Sequence, residues 1–399
     1  MLAPTAPEGA DETTVRNTVN TREEKTPVWR NVRVLGWVFQ LGVLALVGAI
    51  GAYLFSNLTS QQGNPFTFDF LQQPSSFTIP ANDFRSSQPV WQAVYEGLLN
   101  TLRVVVVGLA LATILGIALG FGRLSKNFLL RAVCTIYIEV VRNIPLLGIL
   151  LFAYLALVLQ AFPAVADAVD VAGMVIVSNR GMSIPWYSGS IFGLLAAFVV
   201  AALVAYGIRR WRLAAAERKD EPAHLGLWVG VSFPLVFFWV AFFSGIGFTS
   251  PSLDGRNISG GMTMQPEYFA LLFALVVYTA SHIGEIIRGS ILAVDKGQVE
   301  ASHAMALNGW QRMRYVVFPQ ALRVAMPALG NQYLNLMKNS SLGFAVSYFE
   351  LTKTIATTVG NRSPAVPSFT VLLVVYLMLS LFISALVNVA NRRLEVAGR

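Results

Sequence analysis

The sequence predicts an all-α polytopic membrane protein of about eight transmembrane helices, and three observations carry that prediction. Hydrophobic residues make up 55% and charged residues only 13% of the 399-residue chain, where an ordinary soluble domain carries about 25% charge. Mean hydropathy is +0.59. Apolar runs long enough to cross a bilayer recur along the chain, and the polar segments between them alternate between rich and poor in Lys and Arg, the bias of cytoplasmic over external loops. The lipid bilayer is therefore a partner, and the net charge of +8 calls for no nucleic acid. A single cysteine, Cys134, excludes a disulfide within the chain, and Cys134, His224, His282 and His303 show no metal-ligand spacing.

Residues 1–33 are polar, contain Arg16, Arg22, Lys25, Arg30 and Arg33, and are expected to form a disordered cytoplasmic tail. The first span, 34–55, covers about 33 Å at the helical rise. It leads to an external loop, completing a segment 34–96 whose only basic residue beyond the span is Arg85. A first core part, 97–162, begins with a span at 98–121 whose Gly108, Gly116 and Gly120 allow another helix to approach closely. Arg123, Lys126 and Arg131 then mark the cytoplasmic side. The next apolar segment, 132–162, is interrupted by Arg142-Asn143-Ile144-Pro145. Pro145 lacks a backbone donor and disfavours helix at the residue before it, so a kink is expected there.

Residues 163–262 read as an insertion. A weakly apolar external loop reaches Tyr187, two spans follow at 189–208 and 226–247, and the segment 209–224 between them holds Arg209, Arg210, Arg212, Arg218 and Lys219, which place it in the cytoplasm. A second core part, 263–392, contains spans at 266–287, 326–349 and 368–390 around a cytoplasmic loop, 288–325. The chain ends in a short tail, 393–399. This alternation places both termini in the cytoplasm.

The loop holds the most structured stretch, EASHAMALNGWQRMRYVVFP at 300–319. Ala301, Ala304, Met305 and Leu307 share one side of a first short helix, which Asn308-Gly309 is expected to end. Trp310, Met313 and Val317 recur at helical spacing in a second helix, expected to anchor the hairpin to the bundle until Pro319 interrupts it. Small residues at 301, 302, 304 and 306 suit a docking surface. The stretch resembles the loop of ABC-importer permease subunits, which carries E-A-A, three residues, G, nine residues, I-x-L-P. Glu300, Ala301 and Ser302 stand for E-A-A, Ala306 for the Gly, and Val316, Phe318 and Pro319 for I, L and P. The resemblance implies that Glu300, Ala301, Ser302, Ala306, Gly309 and Pro319 couple the chain to an ATPase subunit.

Two further stretches narrow the resemblance. EVVRNIPLL, 139–147, is similar to the E-x-x-R-G-T-P-L-L of polar amino-acid importer permeases, and LMKNSSL, 336–342, to their K-x-[ST]-S-L. With the insertion and first helix, the chain most resembles the Q-type permease of general L-amino-acid ABC uptake systems. That resemblance implies a type I importer core of five helices plus one N-terminal and two inserted helices, in a bacterial inner membrane. It implies a second permease subunit as a heterodimer partner, two copies of an ATPase and a periplasmic amino-acid-binding protein, working by alternating access. No G-x-x-x-x-G-K-[ST] phosphate loop occurs. The chain is therefore expected to be no enzyme and to hold no cofactor, ATP-Mg belonging to the partner subunit.

An amino acid is a zwitterion, so its path needs a positive group or donors for the carboxylate and an acceptor for the ammonium. The candidates are Arg142, Asn143 and Pro145 at the kink, Glu285 near the end of 266–287, and Lys338, Asn339, Ser340 and Ser341 in the next span. An equal reading makes these residues structural, with Arg142 and Lys338 paired to Glu285 or Glu139. A rival function, an ATPase-independent secondary transporter or channel for small polar solutes, would often show repeated halves with matching broken helices. The sequence shows no such symmetry.

Overall fold

The structure is a computed structural model that describes residues 32–60, 66–80, 84–189, 191–219, 225–243, 247–255, 257–361 and 363–395. The expected tails fall almost wholly outside these residues. The chain divides into two compact units, residues 1–66 and 67–399. The first contains α1 (Val32–Ser60), which exposes apolar side chains such as Trp37, Phe39, Leu44 and Tyr53 all round, as a lipid-facing helix would.

The second unit is built on α2 (Val90–Arg123) packed along α7 (Pro266–Leu292). Glycine sets how closely the two can lie. A Cβ on Gly116 would meet the Ile283 side chain at 2.5 Å, and one on Gly120 would meet the Gly284 carbonyl and Ile287 at 2.9 Å, so these two positions tolerate no side chain. Gly108 differs, because its nearest neighbours, in Leu336, lie at ordinary contact distance. Around this pair gather α3 (Phe128–Arg142), α4 (Leu146–Leu151) continued by a π-helical turn Phe152–Ala161, α10 (Phe318–Asn339), α11 (Leu351–Gly360) and α12 (Ala365–Glu395). Their shared core includes Val104, Leu150, Leu271, Leu275, Ile283 and Leu336.

The expected kink at Pro145 is a break. The helices 128–142 and 146–161 meet at 104°, with the Asn143 amide donating to the Glu139 carbonyl at 2.6 Å. The count of eight spans is not confirmed. Among the described residues six helices are long and apolar enough to cross a membrane, seven if the bent pair is one span. The expected span 326–349 is the second half of α10, which begins at Phe318, ends at Asn339 and passes into a 3-10 turn, Ser340–Val346. Asn331, Gln332, Asn335 and Lys338 lower its apolar character, and it packs on α7 and α12.

The insertion contains the expected pair of helices, α5 (Ile191–Lys219) and α6 (Leu225–Phe243), packed on one another. The basic segment after 208 is not a loop as far as Lys219, because Arg-Arg-Trp-Arg-Leu-Ala-Ala-Ala has high helix propensity and α5 continues through it. The segments flanking the helices, expected as loops, form short strands. A four-stranded antiparallel sheet has the order β1 (Val169–Val171), β2 (Val175–Ser178), β3 (Gly181–Ile184), β8 (Met262–Met264). Two further antiparallel pairs join β4 (Trp186–Ser188) to β5 (Gly247–Thr249) and β6 (Ser252–Asp254) to β7 (Asn257–Ser259). Residues 80 positions apart are tied together here, Ser183 Oγ lying 2.9 Å from Thr263 Oγ1. Gly181, at φ +115°, leaves room for the Met264 carbonyl 1.9 Å from where its Cβ would be.

Candidate functional site

The loop between α7 and α10 is a helical hairpin. Asp295 caps the start of α8 (Lys296–Ala304), its carboxylate accepting from Gly297 N at 2.7 Å. The helix ends earlier than Asn308-Gly309. Ala306 N donates to His303 O at 2.9 Å and Leu307 N to Ser302 O at 3.2 Å, the paired bonds of a Schellman ending. That ending places its residue after the cap in the left-handed region, and Ala306 is there at φ +55°. The position where the importer pattern has Gly is thus one that glycine occupies without strain. Asn308 belongs to the next helix, α9 (Gly309–Arg312): it accepts from Gln311 N at 2.9 Å while Gln311 Oε1 accepts from Asn308 N at 3.0 Å, a reciprocal capping box.

Pro319 does not stop the second helix. A π-helical turn, Met313–Val317, runs directly from α9 into α10. Its wider hydrogen-bond spacing accommodates a proline at the first turn of α10, where the missing donor and the ring would otherwise disrupt the ladder. Val317 is buried as the anchor, but Trp310 is 70% exposed and does not anchor the hairpin. Ser302 is 2% exposed, its hydroxyl donating to Val299 O at 2.6 Å, whereas Glu300, Ala301, Ala304, Met305, Ala306 and Gly309 are open to solvent. Arg312 Nη1 lies 3.0 Å from His303 Nδ1 and ties the two helices together.

The candidate path residues do not form one constellation. Arg123 bridges Glu139 at 2.7 Å and also Glu285, and Glu285 is held from its other side by Arg288 at 2.6 Å. These charges, half-buried except for the exposed Glu139, join α2, α3 and α7 at the end near the hairpin. Arg142, Asn143 and Pro145 are exposed at the adjoining break. Lys338 lies elsewhere. Gly108 faces both Leu336 and Leu272, which puts the end of α10 level with the second turn of α7, about 20 Å along that helix from Glu285. Lys338 is exposed, Asn339 half-buried, and the hydroxyls of Ser340 and Ser341 donate to the carbonyls of Met337 and Lys338 at 2.6 and 2.8 Å. The cationic partners of Glu139 and Glu285 are Arg123 and Arg288, not the expected Arg142 and Lys338.

Sequence reasoning missed Glu350 and Arg103. Glu350 is wholly buried, and its carboxylate caps α11 by accepting from Thr352 N at 2.7 Å and Lys353 N at 2.8 Å, with the Tyr376 hydroxyl at 3.1 Å. Its signal was a glutamate one residue ahead of a helical run. Arg103 lies within α2, donating to Asn100 Oδ1 at 3.0 Å. A lone charge inside an apolar run was its signal.

Residues 217–396 match the family model of the binding-protein-dependent transport system inner membrane component. The chain is also 37% identical over 382 residues to YhdX of Escherichia coli (strain K12), named as an amino-acid ABC transporter permease protein, covering 92% of this chain and 96% of YhdX. This chain belongs to the ABC transporter permease family. Two other permeases are similar along most of their length. The general L-amino acid transport system permease protein AapQ of Rhizobium johnstonii is 36% identical, over 83% of this chain and 84% of its own. The glutamate/glutamine/aspartate/asparagine transport system permease protein BztB of Rhodobacter capsulatus is 33% identical, over 90% and 93%. The permease is thus a multi-pass protein of the bacterial inner membrane, and the hairpin at 296–317 lies inside the matched family model.

Proposed function

We propose that the permease carries L-amino acids from periplasm to cytoplasm, driven by a separate ATPase that docks on the hairpin. The observation that carries the reading is the hairpin itself. It presents small or open residues from Glu300 to Ala306 beside exposed Met305 and Trp310, 74% and 70% accessible, on a framework fixed by two caps and a Schellman ending. The names of YhdX, AapQ and BztB all refer to amino acids, which supports the substrate class. Two ATPase copies with ATP-Mg, a second permease subunit as heterodimer partner and a periplasmic binding protein complete the assembly. Both termini then lie in the cytoplasm with the hairpin. Closure of the ATPase pair moves the hairpin as a rigid body and rocks the α2–α7 bundle, exposing the path to each side in turn.

Cysteine at Ala304 tests the docking. In the assembled complex Ala304→Cys is expected to form a cross-link to the ATPase and to be shielded from a soluble thiol reagent. Full labelling with no cross-link would remove the hairpin from the interface.

A further inference from the structure

Two cavities meet at the end of the bundle opposite the hairpin. The smaller, of about 180 Å³, is lined by Asn100, Arg103, Gln265, Tyr268, Tyr348 and Phe349 beneath β8. The larger, of about 770 Å³, is an apolar groove along α2 and α7, and Arg103, Tyr268, Met262 and Met264 line both. Arg103 stands where the polar cavity opens into the groove.

Its setting is unusual for a cation. Arg103, exposed at the mouth of both cavities, immediately precedes Val104-Val105-Val106-Val107 at one limit of the apolar stretch of α2, where a guanidinium is costly unless an anion or the aqueous interface meets it. Among the described residues it enters no ion pair, and no Asp or Glu lines either cavity. The group is nonetheless held in place. Asn100, 5% exposed, accepts from Arg103 Nη1 at 3.0 Å through Oδ1, while its own Nδ2 donates to Phe349 O at 2.9 Å. That second bond fixes which face of the amide meets the guanidinium. Of the five N–H donors of the fork, one is used in orienting it.

A planar fork with free donors matches a carboxylate in two-point contact. The cavity is smaller than the roughly 300–1,000 Å³ of sites for drug-sized ligands, so it fits a small charged head. The adjoining groove, walled by Leu99, Val106, Phe269 and Phe273, accepts a side chain of varied length. We propose that Arg103, positioned by Asn100, binds the carboxylate of the transported amino acid at an entry site on the face opposite the ATPase. The inference rests on the reading of the chain as an amino-acid importer and adds the group that recognises the substrate.

The test uses the purified complete complex without binding protein, and equilibrium binding of radiolabelled L-glutamine and L-glutamate as probes. For Arg103→Met the Kd is expected to rise roughly 10- to 100-fold, the range for losing a hydrogen bond to a charged group. Arg103→Lys keeps the charge without the fork and is expected to give an intermediate Kd. A wild-type Kd for Arg103→Met, or no binding of either probe to a wild-type complex that transports it, overturns the inference while leaving the importer reading intact. If the Met variant fails to assemble, the Lys variant decides: a raised Kd supports the site and a wild-type Kd overturns it. Uptake of neither probe, nor of any other L-amino acid, by the wild-type complex reconstituted with binding protein overturns both.

Discussion

Ala306→Gly is expected to tighten the coupling hairpin. At φ +55° the alanine carries the left-handed penalty of about 1–2 kcal/mol. Glycine removes it, but its freer unfolded chain gives back about 0.5–1 kcal/mol. The net gain is on the order of 0.5–1 kcal/mol, or roughly a 2- to 5-fold shift in the local opening equilibrium. The amides of Ala306 and Leu307, bonded to His303 O and Ser302 O, report that equilibrium directly. Hydrogen exchange of a peptide covering 304–308 in the purified complex is expected to slow by that factor in the glycine variant. Ala306→Val is expected to speed it, because a β-branched residue fits the left-handed region worse than alanine. Faster exchange in the glycine variant, or no change in the valine variant, would refute the assignment of a Schellman ending to this position.

Gly120→Ala places a Cβ 2.9 Å from the Gly284 carbonyl and Ile287, and overpacking of about 1–3 kcal/mol is expected to lower the midpoint of thermal inactivation in detergent. Gly108→Ala, with its nearest neighbour at 3.5 Å, is the tolerated control. Arg123→Met leaves Glu139 and Glu285 without their shared partner and is expected to destabilise the bundle by about 1–3 kcal/mol. In the double variant with Glu285→Gln the losses are expected to be less than additive, and strict additivity would show that the bridge contributes nothing. Replacing residues 189–246 by an Asn-Gly turn joins β4 to β5 directly, since Ser188 already faces Gly247. That excision is expected to leave assembly intact, whereas deleting 163–262 as a whole removes β3 from above α7 and leaves β8 without its partner, and is expected not to.

The apolar runs made the crossing helices legible because a bilayer demands long uninterrupted apolar segments and little else. The glycines of α2 were legible for a related reason: close approach is the main use of small residues in such a helix, and Gly116 and Gly120 bear this out. The hairpin was legible as a spacing but not in its local geometry. Asn308 is a good residue at either end of a helix, and only its bond to Gln311 N assigns it to the start of α9. Pro319 read as a break because the π-helical turn before it has no composition of its own. The strands were missed because each has three or four residues and β3 finds its partner β8 only after α5 and α6 have folded back. The Arg123–Glu285 pair escaped for a similar reason, since Arg123 is brought there by the α2–α7 packing, whereas Arg288, three residues on in the same helix, was within reach of sequence spacing.

ATP-dependent uptake by the reconstituted complex tests the central claim most directly. Proteoliposomes holding this chain with its permease and ATPase partners, supplied with binding protein outside and ATP inside, are expected to accumulate a labelled L-amino acid, and to stop when the ATPase is omitted or its phosphate loop is inactivated. Uptake by this chain without the ATPase, driven by an ion gradient alone, would contradict the account and establish a secondary transporter.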